Sequence, residues 1–106
     1  MQEYPNLSYI KELSGDDSAF EQKFIGILKE ELPEEVQAYI GHIKQKELVM
    51  AAEMVHKLKH KFNILSMSKA YEFAVHYEEE LKEGRMKMDV DFLKFLNTVT
   101  NYLKSI

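Results

Sequence analysis

Leu48-Val49-Met50-Ala51-Ala52-Glu53-Met54-Val55-His56-Lys57-Leu58-Lys59-His60-Lys61-Phe62 spaces its apolar residues three or four apart. At about 100° per residue, Leu48, Ala51, Val55, Leu58 and Phe62 fall within an arc of about 90°. A strand would alternate instead, so this stretch reads as an amphipathic helix that starts near Glu47 and continues to Leu65. One helix cannot bury such a stripe alone, so the fold depends on whether its neighbours carry stripes of their own.

They do. Upstream, Asn6 can cap a brief first helix bearing Leu7, Ile10 and Leu13, which Gly15 ends. Asp16 or Asp17 caps a second helix whose stripe runs Phe20, Phe24, Ile27, Leu28, Leu32, Val36, Ile40 and Ile43. Pro33 interrupts it, and an interior proline normally kinks or breaks a helix. The phase nevertheless passes unshifted from Leu32 to Val36, and Leu32 is a poor cap for a fresh start, so one bent helix is expected rather than two abutting ones. Downstream, Ser66 or Ser68 can cap a helix carrying Ala70, Phe73, Ala74, Tyr77 and Leu81 before Gly84. Asp89 or Asp91 opens the last, with Phe92, Leu93, Leu96, Val99, Leu103 and Ile106. Short loops between four long amphipathic helices predict an all-α fold, an antiparallel four-helix bundle with a short N-terminal helix as lid. There is no internal repeat, and residues 1–106 make a single domain.

The composition narrows the function. With 45% hydrophobic and 30% charged residues the chain is expected to fold. It has no cysteine, which removes disulfides and thiolate zinc sites. No apolar run approaches the roughly 20 residues of a membrane span, and Met1-Gln2-Glu3-Tyr4-Pro5 lacks the pattern of a secretion signal. A cytoplasmic protein that does not engage membranes is expected. A net charge of −4 argues against nucleic-acid binding, which needs a concentrated basic surface. Phosphate-binding glycine loops, serine nucleophile motifs and zinc-protease motifs are missing. The carboxylates at Glu78, Glu79 and Glu80 read as a solvated helix face.

One feature stands against this acidic background: His56, Lys57, Lys59, His60 and Lys61 lie together with no acid among them. His56 falls about 100° beyond Val55, outside the apolar arc, with Lys59 and His60 one turn on. A neutral imidazole is a good nucleophile near pH 7, and a nearby ammonium screens the charge of an incoming phosphoryl group. From spacing alone, a surface histidine beside solubilising lysines is the commoner explanation. A third reading makes His56 and His60 a metal-binding pair, with His42 and His76 as further candidates, although the three lysines oppose a cation.

Val55-His56-Lys57-Leu58-Lys59-His60-Lys61-Phe62 resembles the H-x-L-K-G signature of histidine phosphotransfer (Hpt) domains. Leu7 to Phe20 is similar to the family's entry into its first long helix, and Glu31-Leu32-Pro33 falls where many members carry an acid followed closely by proline. Asn63-Ile64-Leu65-Ser66-Met67 and the helix to Glu80 match in register, so the likeness spans about residues 7 to 103. The resemblance implies a two-component phosphorelay protein that takes a phosphoryl group on His56 from a receiver-domain phosphoaspartate and passes it to another receiver. It implies that Lys59 lies near the phosphoryl group, that Leu58 anchors the helix, and that Lys57, His60 and Asn63 take part in docking. His60 replaces the signature glycine, a departure at the point of closest approach. The expected partners are response-regulator receivers and a hybrid histidine kinase, and the chain is expected to be monomeric. It would be a stoichiometric carrier and not an enzyme, binding no cofactor of its own, with Mg2+ supplied by the receiver. A receiver-binding adaptor that carries no phosphate, or a metal-binding helical bundle, are the alternatives.

Overall fold

A computed structural model describes residues 3–106, so the first two residues of the N-terminal stretch lie outside it. Five helices follow in order: α1 (Ser8–Ser14), α2 (Ser18–Lys44), α3 (Leu48–Ile64), α4 (Ser68–Lys82) and α5 (Asp89–Ser105). No strand occurs among the described residues. α3 packs against α2 and α4, α5 packs against the same two helices, and α1 lies against α2. The α3–α4 contact is the most extensive.

α2 runs unbroken through Pro33, as the unshifted phase predicts. Pro33 is exposed, so the carbonyl it leaves without an amide partner can meet water. Asp17 caps α2 by accepting from the Phe20 amide at 3.1 Å, and Asn6 accepts from the Ser8 amide at 2.9 Å. Gly15 and Gly84 turn the chain after α1 and α4 in the left-handed region, at φ +59° and +86°.

The cap of α4 departs from expectation. Neither Ser66 nor Ser68 accepts from the first turn; Ser66 instead takes a left-handed φ of 65° in the preceding turn. The donors are met by Glu3, whose carboxylate accepts from the Lys69 and Ala70 amides, each at 3.0 Å, and from the Ser68 hydroxyl at 3.3 Å. The Asn6 amide donates to the Leu65 carbonyl at 2.9 Å, which fastens the same segment to the α3–α4 turn. α5 starts with Asp89 and Asp91 in its first turn but without a side-chain cap on the helix.

The core collects Ala51, Val55, Leu58 and Phe62 from α3, Ala74, Tyr77 and Leu81 from α4, and Phe92, Leu96 and Val99 from α5, all fully or nearly fully buried. On α2 the buried residues are Ile25, Leu28, Leu32 and Tyr39. Phe20 and Ile27, expected on that stripe, are exposed, as are Leu13, Leu93 and Ile106. No helix of the described residues is long and apolar enough to cross a membrane.

Candidate functional site

α3 puts His56 where the spacing places it, at the flank of the buried stripe between Val55 and Leu58. Its side chain is 54% exposed. One turn on, the His60 ring meets it edge to face, with centroids 5.0 Å apart and planes at 85°. The expected docking residues Lys57, His60 and Asn63 are all exposed on this helix.

The residue that organises the site comes from α4. The Glu78 side chain is 9% exposed and lies 3.2 and 3.3 Å, through its two oxygens, from His56 Nδ1. Lys59 Nζ donates to Glu78 Oε1 at 3.0 Å, and Lys82 Nζ pairs with Oε2 at 3.2 Å. Burial alone would push this carboxyl up; hydrogen bonds from Lys59 and Lys82, the Lys59 charge and the His56 contact outweigh it and hold Glu78 below the usual carboxylate range. Glu78 is therefore ionised at neutral pH and can only accept. The proton of a neutral His56 ring then sits on Nδ1, and the Nε2 lone pair is left for an incoming electrophile.

Glu78 corrects the reading of residues 78–80 as a solvated face. Glu79 is exposed and Glu80 pairs with Arg85, but Glu78 is buried against α3. A signal was present. Glu78 follows Ala74 by four residues and precedes Leu81 by three, which sets it beside the α4 stripe rather than opposite it.

The basic island also divides. Lys59 is spent on Glu78, and Lys61 reaches Glu31 at 3.0 Å and Glu35 at 3.1 Å on α2. Lys57 alone of the three makes no ion pair among the described residues. Val49, Ala52, Glu53 and Lys57 of α3, with Glu78 and Lys82 of α4, line an open groove of about 400 Å³ beside His56. Val49 is 66% exposed at its rim and Met50 next to it is exposed too. His42 is engaged elsewhere, its Nδ1 2.9 Å from Glu47 at the α2–α3 turn.

The arrangement can hold one imidazole tautomer, present Nε2 to solvent, and stabilise positive charge on the ring through a buried carboxylate. These are the requirements of a nucleophilic histidine whose orienting partner is an acid. Comparison with family models, with curated proteins and with solved structures gives no match to this chain.

Proposed function

We propose that this chain is a histidine phosphotransfer domain, a four-helix antiparallel bundle of α2 to α5 with α1 as a short lid, acting as a monomeric carrier between receiver domains. The observation that carries the reading is the exposed His56 held through Nδ1 by the ionised, buried Glu78. Nε2 attacks the phosphorus of a receiver's phosphoaspartate. The N–P bond forms as the P–O bond to the aspartate breaks, and the aspartate leaves as a carboxylate. The ring, still protonated on Nδ1, becomes cationic, and Glu78 offsets that charge. Transfer to a second receiver reverses the step. The receiver supplies Mg2+ and the chain supplies nucleophile, orientation and docking face, as in phosphoryl transfers dominated by positioning and charge. The exposed Val49 and Met50 offer apolar surface for a receiver to cover, and Lys57, which makes no ion pair among the described residues, offers charge beside it.

The test incubates the chain with a panel of phosphorylated receivers and follows label onto the histidine. His56→Gln should abolish acceptance while helicity is kept, because the glutamine amide can still donate to Glu78, and a weakened contact there should cost no more than about 0.5–1.5 kcal/mol. Normal acceptance by that variant removes His56 from the role. A parent chain that binds receivers yet takes no label is the adaptor instead.

A further inference from the structure

His60 is the residue that the phosphotransfer reading uses least, and its relation to His56 is specific. The two imidazoles sit one helical turn apart, both exposed, with ring centroids 5.0 Å apart. Histidines at i and i+4 project from one helix face and can share a metal ion. Two rings bound to a tetrahedral zinc ion through nitrogens at about 2.0–2.1 Å have centres roughly 5 Å apart. The observed spacing matches that figure, and since the edge-to-face rings do not converge as they stand, binding turns the exposed His60 ring about its side-chain bonds while Glu78 keeps His56 in place.

Glu78 is the second observation. A metal-binding histidine usually gives its other ring N–H to a carboxylate, which sets the tautomer and raises ligand basicity. His56 has that partner, 91% buried by side chain and bonded to Nδ1. We propose that His56 and His60 together bind a zinc-class transition-metal ion, and that the ion blocks phosphoryl transfer by occupying Nε2 of His56. The site itself stands without the phosphotransfer reading; only its consequence rests on that reading.

The chemistry limits affinity and sets selectivity. Among the described residues no cluster of three or more His, Asp or Glu side chains is placed to hold a metal, so neither His42 nor His76 completes a triad here. Two protein ligands leave two positions to water, and the ion exchanges freely. Lys59 and Lys82 are neutralised in part by Glu78, while Lys57 remains an opposing charge. Only ions that favour imidazole overcome this; Mg2+ and Ca2+ prefer oxygen donors. The block is thus distinct from the Mg2+ that a receiver brings.

The experiment titrates zinc chloride into the full chain without a receiver and follows the four histidine rings by NMR. The His56 and His60 signals should move together, with those of His42 and His76 unmoved, and equal Mg2+ should move none. His60→Ala should bind zinc at least about tenfold more weakly, because the second arm no longer acts at high effective concentration. Alanine favours a helix, and a circular dichroism spectrum matching the parent's shows that the variant is folded. Phosphoryl acceptance is then measured with and without zinc, each protein against its own zinc-free rate. Zinc should slow the parent, a chelator should restore it, and His60→Ala should be far less zinc-sensitive. Equal zinc affinity in parent and His60→Ala, or shifts confined to one ring, overturns the site. Equal zinc sensitivity in both overturns the block. A zinc-free parent that accepts no phosphoryl group overturns the phosphotransfer reading and leaves the titration to decide the metal pair.

Discussion

Glu78 bonds three side chains at once, His56, Lys59 and Lys82, and its negative charge strengthens each bond. In the proposed phosphotransfer, Glu78→Gln keeps the shape and an acceptor for Nδ1 but discards the charge that would offset a cationic phosphoimidazole. A hydrogen bond to a charged group is worth about 1.5–3 kcal/mol, so loss of the charge-assisted part should slow transfer by roughly tenfold or more. Glu78→Ala should slow it further, because the ring also loses its orientation. Rapid-mixing measurements with one phosphorylated receiver separate the two variants; transfer at the parent rate in both would reduce Glu78 to a structural ion pair. Lys59 acts largely through Glu78: its side chain is 13% exposed and its ammonium is already bonded. Lys59→Ala should therefore slow transfer in a way that salt screens only weakly, unlike an exposed charge. His56 and the lysines were legible in the sequence because residues on one helix have computable directions. Glu78 was harder to see, because its partner lies on another helix 22 residues away.

Helices are the most legible scale of this chain, and their ends and faces the least. Periodicity finds α1 to α5, and the passage through Pro33 follows from an unshifted phase. The buried face of α2 departs from the expected one for a geometric reason. Steps of four residues overshoot a full turn by about 40° each, so a stripe followed in fours from Phe20 to Ile40 drifts around the helix. Ile25, Leu28, Leu32 and Tyr39 step by three, four and seven, which keeps them on one face. The α4 cap was not readable at all, since Glu3 is 66 residues from Lys69 and only the tertiary fold joins them. Glu3→Ala should expose the first-turn amides of α4 and remove an acid from the positive end of its dipole, at a cost of about 1 kcal/mol. A fall in melting temperature of about 4–8 °C is expected for a domain of this size, read by circular dichroism. An unchanged melt would mean that water serves these amides equally well.

Across the whole molecule, one polar pair crosses an otherwise apolar core. The Tyr39 and Tyr77 hydroxyls lie 2.5 Å apart, buried, joining α2 to α4 between the two helices that flank both. Phe92 of α5 packs on both rings, with centroids 5.1 and 5.0 Å away. Burial, first of all, pushes Tyr77 up to about 12, and burial together with the Tyr77 hydroxyl pushes Tyr39 higher still. An unfolded tyrosine ionises near pH 10, so above that the unfolded chain sheds protons that the folded chain keeps. The stability these groups contribute is fully present below about pH 10 and is lost as pH rises through the folded value of Tyr77. Lys61, desolvated yet held above its ordinary value by Glu31 and Glu35, adds to the same alkaline loss. Glu78 acts at the other limit: its lowered carboxyl contributes stability above about pH 4.3, lost as pH falls through the folded value. The alkaline limb can be tested by urea unfolding between about pH 8 and 12, with tyrosinate absorbance as a second signal. Tyr39→Phe alone strands the Tyr77 hydroxyl and should cost about 1–3 kcal/mol at neutral pH. Tyr39→Phe with Tyr77→Phe removes both partners, so it should recover much of that loss and flatten the alkaline decline to what Lys61 causes. A double variant that declines as steeply as the parent would show that the pair does not set the alkaline limit, and that the ionisation responsible lies outside the core.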